Sequence, residues 1–498
     1  MTAVTPHPTL RPNELPDRAA ELLEGGARLA LVAGHDDRPA GGGLRAVYLF
    51  TGPDVGARTE LHVPVDPDEP HLPSLAGLSF PAGRFEREMR DLFGIVPVGH
   101  PLPRRLVRHF HWPRGWFPML SDAGAPPEFG DVDGPFPFRE VEGAGVYEIP
   151  VGPVHAGMIG PGHFRFSVVG ETILKLKARL WFVHRGLEKL VEGRLPADAL
   201  PVAERVSGDT TVGHALAFCQ AVEDATGIAV DEDVRRLRMV VLELERLYNH
   251  VADIGALCND VGHGVLNAHA LRIRERLLRL NDQVTGHRLL RGAVGIGTAT
   301  VLRLPDPDEL VDIARDVDEV VTLALDHSVV RDRFAGTAVL TREQAADLGT
   351  LGYVARASGL QVDARHDHPT LSAAFSRPEH RHTGGDVLAR FSVRAEEVAA
   401  SVDMIAALVS HLGGVPAGRR PEAGSGAAGS GVGIVEGWRG TIVHRVELAV
   451  DGTVARLKVV DPSFFNWPAL PVALADTIVP DFPLVNKSFN LSYAGNDL

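Results

Sequence analysis

Cysteine is almost missing: the 498-residue chain has two, Cys219 and Cys258. Two thiols make no disulfide framework for a chain of this length, and cannot by themselves hold an iron–sulfur cluster. Both fall on apolar helical stripes, the setting of ordinary core thiols, and a cytoplasmic location is expected. Also missing is any uncharged apolar stretch of about 20 residues, so no segment is expected to span a bilayer. The opening MTAVTPHPTLRPNELPD has no basic stretch followed by an apolar run, so no secretory signal is expected. Positive charge is in short supply too: 50 lysines and arginines stand against 64 acids, a net charge of −14. That field repels a nucleic acid or an anionic membrane surface, so neither is expected as a direct partner. Membrane attachment must therefore come through partner proteins.

What is present fits a soluble globular protein of two or three domains, with 45% hydrophobic and 23% charged residues. Residues 1–120 read as a small α/β unit, with strands expected at Leu29–Val32 and Ala46–Phe50 and a helix over 81–95 that stops at Gly94. Residues 121–145 are dominated by proline, glycine and acid, the composition of a linker or a surface-wrapping segment. In residues 146–498 two strands joined by a Gly-rich turn precede a mainly helical core. Apolar or small residues at Val234, Leu237, Val241, Leu244, Tyr248, Val251 and Gly255 mark the buried stripe of a long helix. Helices are also expected over 171–192, 212–223, 265–290, 306–328 and 385–413. The fold class is α+β: an accessory domain, then a β-hairpin platform on a large helical core.

Two features invite a ligand and are read as bland. Gly424, Gly426 and Gly429 have the spacing of a dinucleotide fingerprint, but lie in a low-complexity run (417–433) without its strand and helix context, so a loop is expected. The pairs His366/His368 and His380/His382 suggest zinc, yet have no cysteine close by and read as solvated loop. Arg104, Arg105, Arg108, His109 and Arg114 form a basic cluster, expected to dock another subunit.

The chemistry-bearing pattern is in two pieces. In ERVSGDTTVGHALAFCQAVE, Arg205 is followed by Ser207, Gly208, Thr210 and His214. Near the C-terminus, Asp461-Pro462 precedes Ser463 and Asn466, with two residues between them. Taken alone, Ser207 is a helix N-cap and Pro462 a turn residue. Together they resemble the R-x-C-G-x-C-x-x-x-H and D-P-C-x-x-C frames of nickel–iron hydrogenase large subunits, whose four cysteines hold the metal pair. Here those positions read Ser207, Thr210, Ser463 and Asn466. Soft thiolates select nickel, whereas neutral hydroxyls and an amide are poor ligands, so no metal centre is expected.

Further stretches carry the resemblance. GPVHAGMIGPGHFRF (152–166) is similar to the hairpin of energy-converting, membrane-bound hydrogenases of the formate hydrogenlyase type. HRGLEK (184–189), ELERLYNHVADIG (243–255), GHRLLRG (286–292), ARASG (355–359) and EGWRG (436–440) agree with that family. FEREMRDLFGI (85–95) and GHPLPRRLVRHFHWP (99–113) resemble the thirty-kilodalton subunit of respiratory complex I. The resemblance implies that Glu188 and Arg439 lie beside the metal position, with His214 near by. Complex I's forty-nine-kilodalton subunit, a relative that also lost the metal, lends a histidine from its hairpin and a tyrosine to the quinone head. The hairpin here offers His155 and His163, while the tyrosine's position falls near Gly208.

The resemblance therefore implies an oxidoreductase subunit with His155, His163, Glu188 and Arg439 as candidate catalytic groups. His214, Ser207, Thr210, Ser463 and Asn466 would line the acceptor cavity, with a quinone as candidate occupant. Against it stands a bland reading for each residue: histidines that fasten a hairpin, and a buried His214 and Arg439 paired within the core. The implied partners are a small iron–sulfur subunit, which would carry the only cluster, and ion-pumping membrane subunits at the inner face of the cell membrane. The other function class is a structural or conformational coupling module, expected if Phe464, Phe465 and Trp467 fill the cavity.

Overall fold

The computed structural model describes residues 9–155, 157, 159–371, 380–414 and 428–498. The first unit holds an antiparallel sheet of Arg28–Asp36, Leu44–Thr51 and Arg58–Val65, in chain order, which contains both expected strands. Helix Phe80–Phe93 packs on the first strand so closely that Gly34 has no room for a side chain against the Phe93 ring. The helix stops at Gly94, where φ is +76° and glycine carries no steric penalty.

A second antiparallel sheet, Gly429–Gly437, Gly440–Leu448 and Val454–Val460, meets this unit. Their junction is buried and charged. Arg445 pairs with Glu60 at 3.1 Å, Arg45 with Glu447 at 2.9 Å, and Arg456 donates to the Gly34 carbonyl at 3.1 Å. Charges survive such burial only when paired and hydrogen-bonded.

Residues 121–145 form neither helix nor strand, yet they are fastened along their length. Asp36 accepts from Ser121, while Arg105, Arg104 and Lys177 hold the carbonyls of Gly134, Pro137 and Arg139 at 2.9–3.1 Å. This segment is a strap laid over the surface. It leads into a third antiparallel sheet, Val146–Val151, His163–Val169 and Thr172–Arg179.

That third strand corrects one expectation. Residues 171–192 are not a helix but a strand followed by a short helix, Leu187–Leu190. TILKLKAR satisfies both periodicities locally, and pairing with His163–Val169 decides in favour of the strand.

The other helices lie where their periodicity places them, at Thr211–Thr226, Gly264–Thr285, Pro307–Asp326 and Val387–Ser410. The long helix Glu232–Asp260 runs through their middle and is buried on every side from Leu237 to Val251, not along one stripe. Its interior charges are matched: Arg246 to Glu243 at 2.9 Å, and His250 to Glu397 at 2.8 Å.

The expected loop at 417–433 is corrected where it is described. Gly429, Gly431 and Gly433 lie in a strand, and a side chain at any of them would run into the helix backbone at Ala225, Ala221 and Ala217. Alternate glycines on the strand thus meet every fourth residue of the helix, letting the two backbones touch. Gly424 and Gly426 lie outside the described residues. Small sheets around a large helical core make the fold α+β.

Candidate functional site

The two frames meet at the heart of the core. Thr210 is the N-cap residue of helix Thr211–Thr226, with Ser207 just ahead of it. Ser463 and Asn466 belong to the short helix Pro462–Asn466, capped by the Asp461 carboxylate, which accepts from the Ser463 N–H at 2.7 Å. All four side chains are buried.

Every one of the four is engaged by the protein itself. Ser207 Oγ lies 2.9 Å from an Asp209 oxygen and 2.8 Å from Ser492 Oγ. Ser463 Oγ accepts from the Ser492 N–H at 2.9 Å. Asn466 clasps the backbone of Leu351, accepting its N–H at 2.8 Å and donating to its carbonyl at 3.1 Å. Thr210 Oγ1 donates to Asp209 at 3.2 Å and lies 3.2 Å from both Arg439 Nη1 and Trp438 Nε1.

Arg439 closes the arrangement. It grips Asp209 in bidentate fashion, both distances 2.7 Å, donates to the Asn490 carbonyl at 2.6 Å and stacks 4.0 Å over Trp438. Burial pushes the Asp209 carboxyl up, but Arg439 with the Ser207 and Thr210 hydroxyls outweighs it and holds the group down at about 2. Sequence reasoning missed Asp209, Ser492 and Asn490. Asp209 sits between two frame positions and was legible there as an extra charge; nothing in the sequence marks the tail residues.

Behind this lies a buried relay. His214 Nε2 is 3.0 Å from Asp461, and its Nδ1 is 3.0 Å from His444 Nε2. His444, His214 and Asp461 thus form one hydrogen-bonded chain, which orients the carboxylate that caps Ser463. Burial and the neighbouring His214 hold His444 well below its usual range.

The four candidate catalytic groups each have their own partners. Arg439 belongs to the network just described. Glu188 pairs with Arg456 at 2.8 Å and Lys458 at 3.1 Å, and accepts the Val459 N–H at 3.0 Å. Burial pushes its carboxyl up, but these two cations outweigh that and hold it low. His163 opens its strand, its Nδ1 3.2 Å from the Gly152 carbonyl and its Nε2 accepting from Arg165 at 3.2 Å. His155 lies on the hairpin with its ring 6.3 Å from that of Tyr493.

The comparisons with known proteins agree along the chain. Residues 9–127 match the family described as respiratory-chain NADH dehydrogenase, 30 Kd subunit; residues 185–258 match nickel-dependent hydrogenase, and 260–423 the NADH dehydrogenase 49 Kd subunit. Formate hydrogenlyase subunit 5 of Escherichia coli is 31% identical over 98% of this chain and 88% of its own length. The chain belongs to the hydrogenase and complex I large-subunit family. Its accessory domain is of the complex I 30 Kd type. The C/D subunit of the NADH-quinone oxidoreductase of Phocaeicola vulgatus is 30% identical over 74% of this chain and 76% of its own. The fold is also that of a chain from the membrane-bound sulfane sulfur reductase, an archaeal respiratory membrane complex, with a TM-score of 0.62 at 22% identity over 71% of this chain and 98% of that one.

In this large subunit the four cysteine positions of the family carry Ser207, Thr210, Ser463 and Asn466. Both cysteines present are free and buried in the core, which pushes their thiols up. In the basic cluster Arg105, Arg108 and the exposed Arg114 converge on Asp133 of the strap at 3.6, 2.5 and 2.6 Å, and His109 bonds the Trp181 carbonyl at 2.8 Å. His366 and His368 lie half-buried at a short helix and not in a solvated loop, and His380 bonds Glu396 at 2.8 Å. Among the described residues no helix is long and apolar enough to cross a membrane.

Proposed function

We propose that this large subunit works in a membrane-attached, complex I-like oxidoreductase without a nickel–iron centre, passing electrons toward a quinone-like acceptor. The observation that carries the reading is the donor set at the four frame positions. Hydroxyls and an amide stand where soft thiolates would select nickel. They are also spent: turning Asn466 or Ser463 toward a metal would orphan buried backbone groups, at about 1–3 kcal/mol each. The residues present do not fit the metal pair.

On this reading electrons arrive through the iron–sulfur cluster of a small partner subunit, and ion-pumping membrane subunits complete the assembly at the inner face of the cell membrane. The relative named as part of an NADH-quinone oxidoreductase supports the choice of acceptor. One observation favours the second reading, a coupling module without a redox ligand. Phe464, Phe465 and Trp467 are buried next to Ser463 and Asn466, Phe464 stacked on Phe85 at 4.5 Å and Trp467 packed against Tyr493 at 4.8 Å. Quinone extraction of the complex purified from its native membrane separates the two. Stoichiometric quinone supports the acceptor reading; none leaves the coupling module.

A further inference from the structure

A cavity of about 460 Å³ opens between the end of helix Phe80–Phe93, the basic stretch that follows it and the strap. None of the four frame residues and neither hairpin histidine lines it. Four arginines reach it, Arg90, Arg105, Arg108 and Arg114, against two carboxylates, Asp91 and Asp133. In a chain with a net charge of −14 the local sign is reversed. Trp116 and Phe117 supply an aromatic wall.

Both carboxylates are already engaged. Asp91 accepts the N–H groups of Leu106, Val107 and Arg108 at 2.7–3.1 Å, and Asp133 takes Arg105, Arg108 and Arg114 together. Three cations on one carboxylate leave positive charge uncompensated. Arg105 is the least satisfied: its side chain is 10% exposed, its contact with Asp133 is long at 3.6 Å, and its Nε is buried without a hydrogen-bond partner. Arg90 donates to the Pro103 carbonyl, and among the described residues no carboxylate lies within ion-pair distance of it. Behind the wall, Arg87 spends its guanidinium on the Arg104 and Arg105 carbonyls at 2.7 and 2.9 Å. Burial first, then the neighbouring Arg104, pulls it down to about 10, the mark of cations crowded together.

We propose that this cavity binds a multiply charged oxyanion of the phosphate type. A guanidinium presents paired N–H donors that match the edge of a phosphate, in bonds about twice as strong as neutral ones. One dianion cancels the two-charge excess of the wall and gives Arg90 and Arg105 a close anionic partner. A cleft lined by one sign of charge also concentrates the opposite ion from solution. Small-molecule sites run from roughly 300 to 1,000 Å³, so this volume takes more than a bare ion. Free inorganic diphosphate and the phosphates of a nucleotide offer the same chemistry; the base of a nucleotide would lie on Trp116.

The test is calorimetric titration of the full-length chain with inorganic diphosphate and with ADP, both without magnesium. Each is expected to bind once per chain, and more weakly as salt rises. ADP tighter than diphosphate assigns a nucleotide as the ligand, and ADP no tighter assigns the free anion; either result supports the site. Arg90→Gln weakens diphosphate about tenfold, the worth of one charge-assisted hydrogen bond. Arg114→Gln, at a side chain 73% exposed, weakens it about threefold, because solvent screens that contact. Arg90 is half-buried and Arg114 exposed, so each change leaves the core intact. Arg315→Gln, at a side chain 74% exposed on helix Pro307–Asp326, is the control and is expected to change nothing. Absence of saturable binding of both anions overturns the proposal and leaves the arginines to a protein surface. Affinity unchanged in both pocket variants, or lowered as much by the control, overturns it too.

Discussion

Asn466→Ala tests whether a metal-ligand position has become a structural one. Asn466 is fully buried and holds both backbone groups of Leu351, at 2.8 and 3.1 Å. Alanine removes both bonds and leaves a buried N–H and a buried carbonyl without partners. Each orphan costs about 1–3 kcal/mol, so the sum is about 4 kcal/mol, with about 2 as the floor. The loss spreads, because the next residue, Gly352 (φ +64°), lies against the backbone of Arg439 and Gly440 with no room for a side chain. Releasing Leu351 therefore loosens the turn that carries Arg439. Urea unfolding of the full chain, followed by circular dichroism, measures the midpoint shift at common slope. Val450→Ala, at a side chain 82% exposed, is the control and is expected to shift by under about 0.5 kcal/mol. An Asn466→Ala shift no larger than the control's would refute the idea that this donor is spent on the fold.

Three further outcomes follow from the same geometry. Glu188→Gln leaves the buried Arg456 without its carboxylate while Lys458 keeps Glu88 at 2.8 Å, and urea unfolding should show a loss of about 3 kcal/mol. Arg439→Lys gives up the bidentate grip on Asp209; because the Asp209 side chain is 39% exposed, solvent screening cuts the expected loss in the same assay to about 1–2 kcal/mol. His109 is held down to about 4, by burial first and then by Arg179. Between about pH 6.5 and 4 the unfolded chain binds a proton that folded His109 refuses, so stability falls as pH drops through that window, and NMR titration of the His109 ring should give a midpoint near 4, not near 6.5.

How far the sequence could be read depended on how local each signal is. The helix ending at Gly94 and the long helix from Glu232 are written in neighbouring residues, and the structure keeps them. The strand at Thr172–Arg179 fits two periodicities, and only its neighbour decides between them. The strand from Gly429 was hidden because its glycines read as a flexible run; they are there so that Ala217, Ala221 and Ala225 of a helix two hundred residues earlier can sit on the backbone. The frame motifs singled out four positions, and the structure gathers them in one buried hydrogen-bonded core. They carried no information about Ser492, which reaches back from the tail to bond both Ser207 and Ser463, or about Arg456 and Asp209 as the partners of Glu188 and Arg439.

On the proposed reading the four frame positions serve the fold and hold no metal pair. Elemental analysis of the complex purified from its native membrane, for nickel against the amount of this subunit, tests it most directly. Nickel far below one equivalent per subunit is expected. One equivalent would contradict it, and would mean that Ser207, Thr210, Ser463 and Asn466 leave their hydrogen bonds for a metal.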